Sequence, residues 1–330
     1  MPATDVDALF ARASAGDRGA TGRLLTLVER AGPEAARISE LAQQQRPRAH
    51  VIGVTGAPGA GKSTLVASLA RIVETPAQCA VLAVDPSSPV SGGAILGDRV
   101  RMDPAVGTFI RSFATRGHLG GLSLAVPLAI RLLDALGFAT IVVETVGVGQ
   151  VELEVAAAAD TTIVVVTPGW GDAIQASKAG LLEVADVYVV NKADRPGAAD
   201  AQRDLESMVA LARPADDPEG RRRAPVLLTT AQDGSGVPEL WAAVREHREF
   251  LGATGLLEER RVARVRTEIR NELLQLLAAS ADEALGSADG TALVAAAFRG
   301  ELGVIDAAAG VRELLASSTP ERIRRSGASA

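Results

Sequence analysis

Short apolar runs rich in β-branched residues recur along the middle of the chain and are separated by stretches with helical periodicity. They occupy residues 51–55, 80–84, 141–144, 162–167, 187–190 and 226–229. Runs of this length are typical of strands, and the absence of polar alternation within them indicates burial on both faces. Strands that alternate with helices build a parallel sheet covered on both sides. The pattern therefore predicts an α/β domain with a mostly parallel central sheet.

Both ends of the chain show helical spacing without strand-like runs. Residues 1–47 are polar and rich in alanine, and their apolar positions include Leu24, Leu25, Leu27 and Val28. We expect an N-terminal helical extension at residues 1–47, followed by the sheet domain at residues 48–252.

The C-terminal segment, residues 253–330, is expected to be helical. Apolar residues lie three and four positions apart over residues 257–281, which predicts an amphipathic helix, and further helix is expected at residues 292–298 and 304–315. Such a segment can mediate oligomerisation or pack onto its own domain, and the pattern leaves both possibilities open.

Composition and charge exclude several classes of protein. The 330 residues include 34 basic and 40 acidic side chains, a net charge of -6, so the chain lacks the basic surface that nucleic-acid binding usually needs. Apolar stretches are too short to span a membrane, and the start has no signal-peptide pattern. The lone Cys79 suits a reducing compartment, and the three histidines are too dispersed in sequence to suggest a metal cluster. We expect a cytoplasmic protein without nucleic-acid or membrane partners.

The first predicted strand leads into a phosphate-binding loop. Residues 56–63 match G-x-x-x-x-G-K-[ST] between an apolar run and a helical stretch. Glycines let backbone N–H groups point at phosphates, Lys62 reaches the terminal phosphates and Ser63 offers a hydroxyl to Mg²⁺. The chain is therefore expected to bind a nucleoside triphosphate. The predicted phosphate contacts are Gly56, Ala57, Pro58, Gly59, Ala60, Gly61, Lys62, Ser63 and Thr64.

A second motif indicates which base is bound. Asn191, Lys192 and Asp194 form Asn-Lys-x-Asp at the carboxyl end of an apolar strand, where open α/β sheets bind ligands. A carboxylate at Asp194 can accept from both the ring N–H and the amino group of guanine, whereas adenine would leave it unpaired. This favours GTP over ATP and argues against a kinase or transport ATPase. The predicted guanine contacts are Asn191, Lys192, Asp194 and, on a weaker signal after the last strand, Thr230, Ala231 and Gln232.

The strand at residues 141–144 ends in an acidic residue three positions before a glycine. We expect Glu144 to reach Mg²⁺ through a water and the amide of Gly147 to sense the γ-phosphate. Val148 stands where a Ras-like catalytic glutamine would follow the glycine, so intrinsic hydrolysis should be slow. Asp85 and Asp98 are further candidates for the metal or the attacking water, although either could be a turn residue. Whether Asp85, Asp98 or Gln150 positions the water stays open.

Several longer blocks resemble one family, the MeaB-type GTPase chaperones associated with methylmalonyl-CoA mutase, formerly described as ArgK-like or LAO transport kinases. The resemblance covers roughly residues 50–235, and its middle blocks are not general to GTPases. Besides the phosphate loop, the blocks are residues 84–89, 92–102, 109–121, 144–150, 168–180 and 191–194.

This resemblance implies a P-loop GTPase whose Mg²⁺ surroundings are Ser63, Asp85, Asp98 and Glu144. It implies nucleotide-sensing switches near residues 85–118 and 144–152. A third switch at residues 169–178 would couple a partner to hydrolysis, with Asp172 and Lys178 as candidate charged contacts. The helical C-terminus would be a homodimerisation arm.

The implied function is that of a GTP-hydrolysing chaperone for a cobalamin-dependent acyl-CoA mutase. It would gate adenosylcobalamin loading and protect or reactivate the mutase, which would stimulate its slow hydrolysis. The alternative is a metal-insertion GTPase of the nickel-chaperone kind, which has a similar nucleotide domain. Such proteins usually carry Cys and His clusters, whereas Cys79 has no neighbouring cysteine or histidine in the sequence.

Overall fold

A computed structural model describes residues 5–30, 32–45, 47–73, 78–86, 107–115, 125–145, 150–169, 184–212 and 223–318. Three helices precede the sheet: α1 (Val6–Ser14), α2 (Arg18–Arg30) and α3 (Pro33–Gln43). The sheet region comprises β1 (His50–Gly56), α4 (Lys62–Ile72), β2 (Cys79–Pro86), β3 (Phe109–Thr115), α5 (Ala125–Ala135), β4 (Thr140–Thr145), α6 (Gln150–Ala158), β5 (Thr161–Val166), β6 (Val187–Asn191), α7 (Ala198–Ala212), β7 (Val226–Thr229) and α8 (Val237–Thr254). The C-terminal helices are α9 (Leu256–Gly286), α10 (Ala288–Phe298) and α11 (Val304–Ser318).

The strands form one parallel sheet in the order β3-β2-β4-β1-β5-β6-β7. Strands β1, β4, β5 and β6 are buried along their whole length, because helices cover both faces. The predicted mostly parallel α/β architecture is confirmed. The chain order reverses around β1, which pairs with β4 on one side and β5 on the other. Ligands of open α/β sheets bind at the carboxyl ends of strands beside such a reversal.

The edge strand β3 was absent from the sequence prediction. It carries Arg111 between the buried residues Phe109 and Phe113, and a charged residue in a short run obscures the apolar strand signal. The structure pairs the Arg111 guanidinium with Glu29 of α2 at 3.1 Å. The partner that permits a half-buried arginine in this strand therefore comes from a helix far earlier in the chain.

The N-terminal helices pack into the core of the sheet domain. Leu24, Leu25 and Ile38 are fully buried in the same apolar cluster as residues of β1, β2, β4 and α5. The chain divides into two compact units, Met1–Arg264 and Val265–Ala330. The helices predicted for residues 1–47 thus belong to the same unit as the sheet. The boundaries expected at residues 47 and 252 stay predictions.

The second unit contains most of α9 together with α10 and α11. Helix α10 packs against α11, where Leu293 lies beside Gly310. The predicted amphipathic helix is confirmed as part of α9, yet its large apolar residues are exposed in the single chain, namely Val265, Ile269, Leu273, Leu276 and Leu277. Within the described ranges, no helix is both long and apolar enough to cross a membrane.

Buried charges join the start of α9 to the amino ends of the sheet strands. Asp160, fully buried before β5, accepts hydrogen bonds from Arg261 at 3.0 Å and Arg264 at 2.8 Å. Asp186, before β6, accepts two from Arg260 at 2.9 Å. Burial alone would raise the pKa of Asp186, but hydrogen bonds from His247 and Arg260 overcome it and hold the pKa at about 2. Paired burial of this kind fixes the first turns of α9 on the sheet domain.

Two histidines that are far apart in sequence meet at the same end of the sheet. His50 Nε2 lies 2.8 Å from Thr161 Oγ1, and His247 Nδ1 lies 2.9 Å from the same hydroxyl. His247 Nε2 in turn lies 3.3 Å from Asp186 Oδ1. Burial, followed by the nearby Arg248, lowers the pKa of His50 to about 3. His50 is therefore neutral at physiological pH and belongs to a structural polar network at the sheet end opposite the phosphate loop.

Candidate functional site

The phosphate loop connects β1 to α4 through a backbone that requires glycine. Gly56 has φ +139°, and a Cβ there would overlap the carbonyl oxygen of Val165 on β5. Gly61 has φ +84° and directly precedes α4, and a Cβ there would lie 2.5 Å from Asn191 Nδ2. Left-handed backbone and close packing together exclude side chains at both positions. The loop consequently presents its curled backbone at the N-terminus of α4, where the helix dipole favours an anion.

Lys62 is buried at the first turn of α4, with its ammonium folded over the loop. Lys62 Nζ donates to the carbonyl oxygens of Gly56 at 2.9 Å and Ala57 at 3.1 Å. The side chain is therefore already directed back across the loop backbone. A cation held among curled backbone amides at a helix N-terminus is suited to a polyphosphate. The neighbouring Thr64 has an exposed side chain.

Ser63 and Glu144 form the acidic side of the site. Ser63 Oγ donates to Glu144 Oε1 at 2.6 Å, and Glu144 is 1% exposed at the end of β4. The parallel register that pairs Val54 with Glu144 brings this carboxylate beside the start of α4. Hydroxyl and carboxylate oxygens are ligands that Mg²⁺ prefers, so this donor set fits the predicted metal.

Several predicted site residues fall outside the described part of the chain. These are Asp98, Gly147, Asp172 and Lys178, together with Val148. The backbone of Asp85 lies near the carboxyl end of β2, beside β4, and that of Gln150 begins α6, but the structure does not describe their side chains. Their expected roles in metal binding, water positioning and partner contact stay predictions.

Asn191 connects the phosphate loop to the loop after β7. Its Nδ2 donates to the Ala60 carbonyl oxygen at 2.8 Å. Its Oδ1 accepts from Thr229 Oγ1 and from the Ala231 backbone N–H, both at 3.1 Å. Asn191 is 2% exposed, so these bonds are protected from water. One side chain thereby sets the spacing between the two loops predicted to hold the phosphates and the base.

Lys192 and Asp194 extend this arrangement toward solvent. Lys192 has φ 60° and donates from Nζ to the Gly59 carbonyl oxygen at 2.7 Å, so it lies along the phosphate loop. Asp194 is exposed and lies in the turn that follows β6. In the loop after β7, Ala231 is buried, Thr230 is half-buried and Gln232 is exposed. The fold thus collects residues 56–64, 144, 191–194 and 230–232 at the carboxyl edge of the sheet.

The family model of the methylmalonyl-CoA mutase-associated GTPase MeaB matches residues 21–284. The chain belongs to the MeaB family. The matched range includes most of α2, the sheet, the loops of the site and almost all of α9, which confirms the family resemblance seen in the sequence blocks. Members of this family are P-loop GTPases, so the predicted enzyme class is confirmed at that level.

Relatives of this MeaB-family chain carry related names. A Pyrococcus horikoshii protein named as a GTPase is 44% identical over 286 residues, which cover 85% of this chain and 89% of that protein. The Escherichia coli GTPase ArgK is 38% identical over 282 residues, or 81% and 84% of the two chains. A crystal structure of an LAO/AO transport system kinase has a TM-score of 0.67 at 26% identity and covers 96% of this chain and 99% of that one. The structural likeness confirms the predicted fold.

Among the described residues, sequence reasoning missed the contribution of Ser68 to this MeaB-family site. Its Oγ donates to the Ala231 carbonyl oxygen at 2.6 Å, which joins α4 to the loop after β7. The available signal was a serine on the otherwise apolar buried face of α4, beside Leu65 and Leu69. A polar group at such a position needs a hydrogen-bond partner, but the sequence does not say which one.

Proposed function

We propose that this chain binds and hydrolyses GTP with Mg²⁺ and serves as a chaperone of a cobalamin-dependent acyl-CoA mutase of the methylmalonyl-CoA mutase type. It would gate adenosylcobalamin loading and protect or reactivate the mutase. The observation that carries the nucleotide part is Asn191, whose amide joins the phosphate loop to the loop after β7. The partner part rests on the family, which is named for its association with that mutase.

The nucleotide would lie across the carboxyl edge of the sheet. The phosphates would occupy residues 56–64, and Lys62 Nζ would exchange its two loop carbonyls for β- and γ-phosphate oxygens. The base would lie between Lys192 and Ala231, with Asp194 accepting from the two guanine donors. Asn191 supports this pose because it holds both loops without itself being exposed.

Mg²⁺ would be held by Ser63 and approached by Glu144, with Asp85 and Asp98 as further acidic candidates. The metal would neutralise charge on the β- and γ-phosphate oxygens. The Ser63 hydroxyl would turn from Glu144 to the cation, while the Glu144 carboxylate would orient a water on it. The amide of Gly147 would report the γ-phosphate, and slow hydrolysis follows from Val148 in place of a catalytic glutamine.

The partner would act through the third switch, with Asp172 and Lys178 as its charged contacts. The C-terminal helices would form a homodimerisation arm. Support comes from the apolar residues of α9 from Val265 onward, which are about half exposed in the single chain and would be covered by a second copy. Isolated exposed leucines are common, but a row at helical spacing is typical of an interface.

The test is GTP turnover by the full chain with and without a purified cobalamin-dependent acyl-CoA mutase from the same cell. We expect binding of the mutase and a clear rise in turnover, and Lys62→Ala should abolish turnover in both conditions. A control variant, Arg23→Ala on the exposed side of α2, should behave as wild type. A mutase that neither binds the chain nor changes its turnover would exclude the chaperone role.

A metal-insertion GTPase of the nickel-chaperone kind is the second candidate. Its motivation is the shared nucleotide-domain architecture. The thiol of Cys79 is buried on β2, and burial raises its pKa to about 12, so it is poorly suited to capture a metal from solvent. Stoichiometric, tight nickel or zinc binding by the purified chain would favour this candidate over the mutase chaperone.

A further inference from the structure

The hydroxyl of Ser68 bridges two parts of the site that lie far apart in sequence. Ser68 is in the second turn of α4, and its Oγ lies 2.6 Å from the carbonyl oxygen of Ala231. Both residues are buried, with exposures of 9% and 4%. Breaking a short hydrogen bond between buried groups costs free energy, because neither group can form a replacement hydrogen bond with water.

The backbone around Ala231 is held from two directions. Its N–H donates to Asn191 Oδ1 at 3.1 Å, while its carbonyl oxygen accepts from Ser68. The preceding Thr230 N–H donates to the Ser235 carbonyl oxygen at 2.9 Å. Three successive peptide groups therefore have fixed orientations, and the Ser68 bond is the one that comes from the helix of the phosphate loop.

Helix α4 carries both the phosphate-facing residues and this support. Lys62 and Ser63 lie in its first turn, and Ser68 follows little more than one turn later. Because a helix of this length is stiff, the position of the phosphate loop and the position of the loop after β7 are set by the same element.

We propose that Ser68 is a positioning residue that sets how long a guanine nucleotide stays bound, by holding the Ala231 loop against the base. The inference rests on the proposed function, in which residues 230–232 lie beside guanine. Ser68 acts through Ala231, whereas Lys62 would bind the phosphates and Ser63 and Glu144 would hold the metal. Loss of the hydroxyl should accordingly weaken retention of the base without slowing chemistry at the γ-phosphate.

The experiment is stopped-flow release of a fluorescent GDP analogue from the full chain, together with single-turnover GTP hydrolysis. Ser68→Ala should release the analogue about tenfold faster, the usual cost of one buried hydrogen bond, with single-turnover hydrolysis unchanged within about twofold. Ser68→Thr keeps the donor and should restore release close to the wild-type rate. The matched control is Ser207→Ala, whose exposed hydroxyl donates to the Arg203 carbonyl oxygen within α7, and it should leave both rates unchanged.

The outcomes separate this inference from the proposed function. Wild-type release from the Ser68→Ala variant, even with lowered thermal stability, would show that the hydroxyl only supports the core and would overturn the inference. If Ser68→Ala does not fold, Ser68→Cys replaces the hydroxyl with a weaker donor of similar size, and wild-type release from it would also overturn the inference. Failure of the wild-type chain to bind GDP or GTP would instead overturn the proposed function itself.

Discussion

The Ser63 hydroxyl donates a 2.6 Å hydrogen bond to Oε1 of Glu144, which joins the start of α4 to the end of β4. The two residues are far apart in the chain, and the parallel pairing of β1 with β4 brings them together. A buried carboxylate beside a phosphate-loop hydroxyl supplies negative charge where a divalent cation would sit.

Glu144→Gln should weaken the affinity of the site for Mg²⁺. The substitution keeps the side-chain shape but removes the charge that attracts the cation. We expect the Mg²⁺ concentration for half-maximal GTP hydrolysis to rise about tenfold or more, the scale of one lost charge-assisted interaction. Magnesium titrations of the hydrolysis rate measure this, with Glu249→Gln on the exposed side of α8 as the control. If the Mg²⁺ titration of the variant matched that of the wild type, Glu144 would not contribute to metal binding.

Lys62→Ala should weaken nucleotide binding so far that no productive turnover remains. Truncation removes the cation that lies over the phosphate loop, and a charge-assisted contact to phosphate contributes about 1.5–3 kcal/mol. Titration with fluorescent GTP should show that the affinity falls by about tenfold to hundredfold. Arg23→Ala removes an exposed positive charge elsewhere and should bind normally. Normal GTP hydrolysis by the Lys62→Ala variant would contradict the site assignment.

Asp194→Asn should reduce selectivity for GTP over ATP. In the proposed pose the carboxylate would accept from two guanine donors, whereas an amide could satisfy only one of them, at a cost of about 1–3 kcal/mol. Xanthosine triphosphate, whose base has a carbonyl in place of the amino group, should gain affinity because the amide can donate to it. Competition binding of GTP, ATP and xanthosine triphosphate tests this, with Asp200→Asn on α7 as the control. Equal nucleotide preferences in the variant and the wild type would show that Asp194 does not contact the base.

Acid should destabilise the fold partly through His50. Burial lowers the pKa of His50 to about 3 from 6.5, so the unfolded chain binds this proton at a higher pH than the folded one. The contribution of His50 to the free energy of unfolding is therefore complete above pH 6.5 and is lost as the pH falls from 6.5 toward 3, by about 1.4 kcal/mol per pH unit. The pKa of Asp186 is about 2 instead of 3.8, so its protonation lowers the free energy of unfolding further only below about pH 4.

The measurement is urea denaturation between pH 7 and pH 4.5, which isolates the histidine window from that of Asp186. His50→Gln keeps a donor near Thr161 but cannot titrate, so its free energy of unfolding should vary less with pH than that of the wild type. Equal slopes for the two proteins would show that His50 does not carry the acid sensitivity.

Local sequence patterns predicted the buried strands and the loops that follow them. The apolar runs that became β1, β2, β4, β5, β6 and β7 are continuous, so each strand signal lies within a few neighbouring residues. The phosphate loop and Asn191–Asp194 are also short, because each must present its groups from one turn of backbone. Strand β3 was missed because the charged Arg111 interrupts its apolar run, and no local pattern reveals that Glu29 is the partner of this arginine.

The histidines show the limit of sequence spacing. Their separation along the chain argued only against a metal cluster and gave no sign of a shared contact, yet His50 and His247 contact the same Thr161 hydroxyl. The parallel sheet aligns the amino ends of β1 and β5, and His247 of α8 packs against that same end of the sheet. Sequence distance is a poor guide wherever a sheet collects strand ends from the whole domain.

By itself, the sequence determined the α/β class, the phosphate-loop and Asn-Lys-x-Asp motifs and the family, because each depends on residue types at short, fixed spacings. Only the tertiary structure decided that Ser63 meets Glu144, that Asn191 ties Ala60 to Ala231, and that Ser68 holds the Ala231 carbonyl. These contacts join residues from separate strands and helices. Their partners depend on strand order and register, which the packing of the whole domain sets.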